Sequence, residues 1–366
     1  MKYLLQLFFL LISHSAVFGQ STIRYRTIFI GDAGEMNPRQ FESLHQAAEH
    51  VIEGKTIVMF LGDNIYPHGM GLPGSEEEEA THQIMRSQYE PMRAKGAPVY
   101  FVPGNHDWDK SGPQGLAKIK RQGAFLKEQN DPLLKLIPEN GCPDPVELNL
   151  SDSLTVIAYD SEWWLFPYDK TNTDGGCSCK TKEDVLTKMQ ELRDKNRGKV
   201  ILLASHHPFQ TYGTHGGKYS LKDHIFPLTA VKKYLWIPLP VIGSLYPLLR
   251  STFRNPEDMK HHLYQDLIKR VDSVFNQVPH VVHVAGHEHG LQFIKSDHIQ
   301  VVSGAGAKHS YTKKGKYSLF SDATQGFVTM DIMSDAALQI TYYIHSEDKI
   351  KKAFSYALKY NEAIPR

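Results

Sequence analysis

Five times along this chain a short apolar run ends in a compact polar cluster, and that recurrence limits the architectures open to it. Arg24 to Ile30 runs into Gly31-Asp32-Ala33-Gly34, and Thr56 to Leu61 into Gly62-Asp63-Asn64-Ile65-Tyr66. Pro98 to Val102 precedes Pro103-Gly104-Asn105-His106-Asp107. Val200 to Ala204 leads to His206-His207-Pro208, and Val281 to Ala285 to Gly286-His287-Glu288-His289. Arg24 to Ile30 is a β-rich run and the others are largely apolar, and runs of five to seven such residues suit buried strands, about 4–8 residues long. In α/β sheets, ligands bind where such strands end.

Helical spacing of apolar positions predicts a helix from Pro38 to Glu53, which completes a β-loop-α unit. Ser75, ahead of Glu76 to Glu79, reads as a helix N-cap, with Glu78 closing a capping box and the acidic run forming a solvated face. Leu154 to Tyr159 is another strand-like run. Repeated β-loop-α units place the chain in the α/β class.

The first nineteen residues carry Lys2, an apolar run from Leu4 to Ile12 and small or apolar residues before Gln20. That is the pattern of a signal peptide, and the run is shorter than the ~20 apolar residues a membrane span requires. We therefore expect export, to the periplasm or outside the cell, with residues 20–366 forming the folded domain. Three cysteines in an exported chain leave one over, and the expected bridge joins Cys142 to Cys177 or Cys179; a soft-metal site is the alternative. Asn149-Leu150-Ser151 fits a glycosylation sequon. A formal net charge of +1, with both signs spread along the chain, argues against a nucleic-acid-binding surface.

One insertion, about residues 231–256, departs from the pattern. Tyr234 to Leu249 is almost wholly apolar yet contains Pro238, Pro240, Gly243 and Pro247, which forbid a continuous helix. It reads as a segment packed on the core, a lid beside the site or a membrane-interface contact.

Carboxylate, amide and phenolate oxygens with imidazoles are what two hard metal ions need, and the five clusters supply that set. Their order, G-D-x-G, G-D-N-x-Y, G-N-H-D, H-x-P and G-H-x-H, resembles the calcineurin-like metallophosphoesterase superfamily. Tyr66, three residues after Asp63, makes the chain similar to purple acid phosphatases, and Gly286 to Phe293 with Ser303-Gly304-Ala305-Gly306 resembles the small, tartrate-resistant type. The resemblance spans residues 24 to 306. The mammalian repression loop is not identifiable, and Gln114 to Cys142 and Thr229 to Asn255 have no obvious counterpart.

The resemblance implies a four-layer α/β/β/α sandwich with two central mixed sheets, the region from Ile299 to Ile344 completing the second. It implies that Asp32, Tyr66 and His289 hold one metal, typically ferric iron, with Asp63 as the bridge. Asn105, His206 and His287 would hold a second ion, typically ferrous iron, zinc or manganese. His106 then contacts the phosphate and protonates the leaving oxygen, the alternative being a loop-stabilising hydrogen bond. His215, nine residues after His206, faces substrate or sits on a surface loop; His207 is read as a non-ligand. The expected activity is hydrolysis of small phosphomonoesters. The rivals are diester or nucleotide hydrolysis on the same core, and a non-catalytic protein that binds phosphate or metal.

Overall fold

The computed structural model describes residues 21–172, 174–230, 234–239, 256–276, 278–346 and 349–359. The expected signal peptide and residues 240–249 of the apolar insertion lie outside these.

The chain builds two seven-stranded sheets in turn. The first receives β1 (Ile23–Ile30), β2 (Thr56–Leu61), β3 (Val99–Val102) and β4 (Leu134–Leu136). Helices α1 (Pro38–Glu49), α2 (Glu78–Ala94) and α3 (Gly115–Glu128) connect them. The second sheet takes β5 (Val146–Ser151), β6 (Leu154–Ala158), β7 (Val200–Ser205), β8 (Val281–Ala285), β9 (Leu291–Lys295), β10 (Ile299–Ser303) and β11 (Ser318–Asp322). Its helices are α4 (Ser161–Leu165), α5 (Lys182–Lys195), α6 (Leu221–Ile225) and α7 (His262–Phe275). The chain then returns to the first sheet with β12 (Gly326–Met333), β13 (Leu338–Ser346) and β14 (Lys349–Leu358).

Both sheets are mixed, with orders β14-β13-β12-β1-β2-β3-β4 and β11-β9-β10-β8-β7-β6-β5. Strands β1 to β4 run parallel to one another in the first sheet, as do β6, β7, β8 and β10 in the second. Alternation along a strand explains the layering. Ile57, Met59 and Leu61 join Val156, Leu202, Val284 and Met330 in the core between the sheets, whereas Val58 and Phe60 join Leu44, Ala47, Met85 and Met92 beneath the helices. Strands apolar on every residue are thus covered on both faces, as the four-layer sandwich requires.

Three sequence expectations are corrected. Of the region from Ile299 to Ile344, only β10 and β11 complete the second sheet; β12 pairs antiparallel with β1, and β13 pairs with β12. Helix α1 ends at Glu49 and not at Glu53, because the following chain turns back: the Ile52 amide donates to Thr56 Oγ1 at 2.8 Å. Ser75 does not cap α2. The helix starts at Glu78 without a side-chain cap, and Glu78 Oε2 instead accepts from the Gly74 amide at 2.8 Å, tying down the preceding turn.

The segment from Gln114 to Cys142 adds α3 and the edge strand β4 to the first sheet. Cys142 is bridged to Cys177, and Cys179 is a buried free thiol. In the described part of the insertion Tyr234, Trp236 and Ile237 are exposed. Among the described residues no helix is long and apolar enough to cross a membrane.

Candidate metal centre

All five polar clusters meet at one end of the sandwich, in the loops that follow β1, β2, β3, β7 and β8. Asp32, Asp63 and His287 each adopt a left-handed backbone, with φ of 57°, 53° and 64°. Residues other than glycine take that conformation uncommonly, Asn, Asp and His more readily than the rest, and it persists where surroundings enforce it. The enforcement here is tight. Gly62 is itself left-handed (φ 85°), and a Cβ there would stand 2.5 Å from His206 Nδ1.

Asp107 joins two of these loops. One buried carboxylate accepts from the Asn64 amide (3.0 Å), the Ile65 amide (3.1 Å), the Gly104 amide (2.8 Å) and Asn64 Nδ2 (3.0 Å). The loops carrying Asp63 and Asn105 are thereby fixed relative to each other.

Seven of the expected residues come together as two adjoining groups. In the first, Tyr66 Oη donates to Asp32 Oδ1 at 3.0 Å and lies 3.2 Å from His289 Nε2, which is 3.4 Å from Asp32 Oδ1. Burial, and then Asp63, pushes the Asp32 carboxyl well above the usual range. Burial followed by Asp32 and Asp63 does the same to the Tyr66 phenol. Both shifts have one electrostatic cause, negative charge held out of water beside other negative charge.

The second group is defined by where its protons must be. His206 Nδ1 faces Leu61 O at 2.8 Å, and His287 Nε2 faces Glu257 O at 2.8 Å. A carbonyl only accepts, so these nitrogens carry the hydrogens. Burial holds both imidazoles below their ordinary pKa, so the remaining nitrogens keep lone pairs. Those two atoms, His206 Nε2 and His287 Nδ1, face each other at 3.2 Å. Asn105 Oδ1 is 3.0 Å from His206 Nε2, and its amide is oriented by donation to Glu257 Oε1 at 3.1 Å. Asp63 Oδ1 is 3.4 Å from the same nitrogen. Four acceptors converge with no donor among them, an arrangement that a cation satisfies.

Asp63 links the groups: ligating atoms of Asp32, Asp63 and His206 all lie within 4.8 Å of one another. Tyrosine oxygen, carboxylates and one imidazole on one side, an amide and two imidazoles on the other, fit two hard or borderline metal ions. Backbone carbonyls that orient the second nitrogen of a ligating histidine are the usual companions of such sites.

His106 and His215 border the groups. His106 Nδ1 donates to Pro67 O at 2.6 Å, and its Nε2 is 3.9 Å from Asp63 Oδ2. His215 Nδ1 donates to Glu257 O at 3.2 Å and is 3.4 Å from Asp258 Oδ1; its ring centroid is 4.0 Å from that of His287. His207 stays beside the second group, with a ring nitrogen within 4.8 Å of ligating atoms of His206 and His287, but its Nδ1 meets Ser161 Oγ at 2.9 Å and its ring lies edge-on to Tyr264.

Four further residues shape the centre without having been singled out in the sequence. Glu257 and Asp258 arrive directly after the apolar insertion and fix Asn105, His287 and His215. Buried Glu288 accepts from the Thr214 amide (2.8 Å) and the His215 amide (3.0 Å), which anchors the His215 loop. Lys308 Nζ sits 3.4 Å from the Tyr66 ring centroid. Glu288 was visible inside the G-H-x-H cluster; the other three follow no strand-end signal.

The family model described as calcineurin-like phosphoesterase matches residues 25–291. Among solved structures the chain is similar to GAP50, the anchor in the inner membrane complex of Plasmodium, at 15% identity and a TM-score of 0.52, covering 92% of this chain and 89% of that one. It is also similar to the purple acid phosphatase PPD1 from seeds of yellow lupin (Lupinus luteus), at 15% identity and a TM-score of 0.48, covering 94% and 55%. No curated protein matches the chain.

Proposed function

Since the chain belongs to the calcineurin-like phosphoesterase family, a metal-dependent phosphoesterase with a dinuclear centre, we propose that it is an exported phosphatase acting on small phosphomonoesters. The observation that carries the reading is the convergence of lone-pair acceptors at His206, His287, Asn105 and Asp63 beside the Asp32–Tyr66–His289 group.

In this reading Asp32, Tyr66 and His289 hold one ion, Asn105, His206 and His287 the other, and Asp63 stands between them. A phenolate oxygen favours a trivalent ion such as ferric iron, and the amide with two imidazoles a divalent ferrous, zinc or manganese ion. Bound metals supply an acidified water as nucleophile and neutralise charge on the phosphate oxygens. The protein's own residues do the rest. His106, anchored through Nδ1, presents Nε2 to the substrate and protonates the departing alkoxide. His215, anchored to Glu257 and Asp258, presents its other nitrogen to a phosphate oxygen. Two added donors beyond the metal ligands suit the more highly charged monoester.

The test is turnover of a panel of mono- and diesters by chelator-stripped protein resupplied with iron and zinc. Faster monoester hydrolysis, absent without metal, is expected; diester preference moves the function to the alternative on the same core. Tight phosphate binding without turnover would leave a binding protein. Export is tested by fusing residues 1–30 to a reporter and following its secretion and cleavage.

A further inference from the structure

Away from this centre, on the helix-facing side of the second sheet, three metal-ligating side chains converge from three elements. His283 lies in the middle of β8, Asp272 near the end of α7, and His298 in the turn between β9 and β10. Val282 and Val284 point into the core between the sheets, so His283 points the opposite way, towards the helix layer.

One ligating atom from each residue lies within 4.8 Å of the other two. His298 Nε2 and Asp272 Oδ1 are 3.3 Å apart. Two ligands at about 2.0–2.1 Å from a tetrahedral ion are separated by about 3.3–3.4 Å, so this edge of a coordination shell already exists. An ion pair between His298 and Asp272 explains those two groups alone. It leaves His283, whose side chain is only 4% exposed and whose Nε2 has no hydrogen-bond partner. A buried imidazole nitrogen without a partner is costly, and an ion beside it removes that cost. Burial also holds His283 down to about 4, which keeps it neutral and able to ligate at physiological pH. Asp272 and His298 remain 30% and 26% exposed, so an ion can enter and water can complete its shell.

We propose that Asp272, His283 and His298 bind one divalent transition-metal ion of the zinc class, at a third site distinct from the dinuclear centre. Two imidazoles, a carboxylate and water form a donor set that zinc accepts. Its effect is to clamp α7 and the β9–β10 turn to β8, the strand that runs directly into His287 and His289.

The experiment strips the full-length protein with chelator, titrates it with zinc and counts the metal retained after desalting. The expected result is one equivalent fewer in His298→Gln and in Asp272→Asn than in the unaltered chain, with ester hydrolysis retained within about twofold. A second chain, Asp63→Asn with His287→Ala, disables the dinuclear centre and is expected to keep one zinc, lost again on adding His298→Gln. Equal zinc counts with and without the His298 and Asp272 substitutions overturn the proposal. So does a chain with the dinuclear centre disabled that binds no zinc.

Discussion

Asp107 offers the most direct test of how the metal-ligand loops are held. Its carboxylate satisfies three backbone amides and one side-chain amide, and no hydrogen bond within its reach comes from a removable surface group. In Asp107→Asn one oxygen becomes an NH₂. If the remaining oxygen occupies the Oδ2 position it keeps Gly104 N, Asn64 Nδ2 and a 3.1 Å contact to Asn64 N, and strands Ile65 N together with the new NH₂ that faces it. Each buried donor left without a partner costs about 1–3 kcal/mol, so these two give about 2–6 kcal/mol. Asp107→Ala strands the amides of Asn64, Ile65 and Gly104 together, so three such terms against two give about 3–9 kcal/mol. Asn64 Nδ2 is spared, because it also donates to Val102 O at 2.8 Å. Urea unfolding of the metal-free proteins should therefore rank the unaltered chain above Asp107→Asn and that above Asp107→Ala. Metal content at limiting supply should fall in the same order, since Asp63 and Asn105 ride on the two loops. Equal stability for all three proteins, or Asp107→Ala with undiminished metal affinity, would refute the reasoning.

Tyr66→Phe removes the phenol oxygen and its bond to Asp32; protein loaded with ferric iron should lose its visible charge-transfer band, and a band that survives would assign the iron elsewhere. His106→Ala should lower kcat by about 10²–10⁴ with metal content unchanged. The loss should shrink for esters with acidic leaving groups that need no proton, and an equal loss for all leaving groups would remove the general-acid role. His283 gives a pH dependence. Its folded value of about 4 lies below the unfolded ~6.5, so its neutral form contributes stability that is complete above 6.5 and is lost as pH falls towards 4. In chelated protein, His283→Gln should flatten the unfolding free energy across that window relative to the unaltered chain; parallel profiles would contradict it.

How much of this was legible follows from what each signal encodes. β1, β2, β3, β7 and β8 were readable because strands covered on both faces are mostly apolar without alternation, and the polar clusters after them mark their ends. The edge strand β5, Val146-Glu-Leu-Asn-Leu-Ser, alternates apolar and polar residues, so it offers no continuous apolar run and ends in no such cluster. β12 and β13, within the region from Ile299 to Ile344, could be expected as part of a sheet but not by partner, since an apolar pattern does not say which sheet it joins. His283 sits inside Val281-Val-His-Val-Ala and looks like a core residue until Asp272 and His298 are brought beside it. Glu257 and Asp258 follow an insertion with no periodicity, so only the fold places them against Asn105, His287 and His215.

The ligand set divides by sheet. Asp32, Asp63, Tyr66 and Asn105, the oxygen donors, follow β1, β2 and β3 of the first sheet, whereas His206, His287 and His289, the nitrogen donors, follow β7 and β8 of the second. The hydrogen bonds that orient the ligands cross the same divide: His206 Nδ1 donates to Leu61 O, and the His287 amide donates to Asp32 Oδ2 at 2.8 Å. The Gly31 amide reaches Ser303 O across it at 2.6 Å. The geometry of the centre is therefore set by the packing of Phe29, Met59, Leu61, Leu202 and Val284 between the sheets as much as by the loops themselves. Reacting groups misplaced by about 1 Å can cost a hundredfold in rate. Enlarging or emptying that inter-sheet core moves oxygen donors against nitrogen donors, whereas a change beneath the outer helices moves neither set relative to the other. Activity should accordingly be more sensitive to substitutions in the inter-sheet layer than to equally destabilising ones in the helix-facing layers.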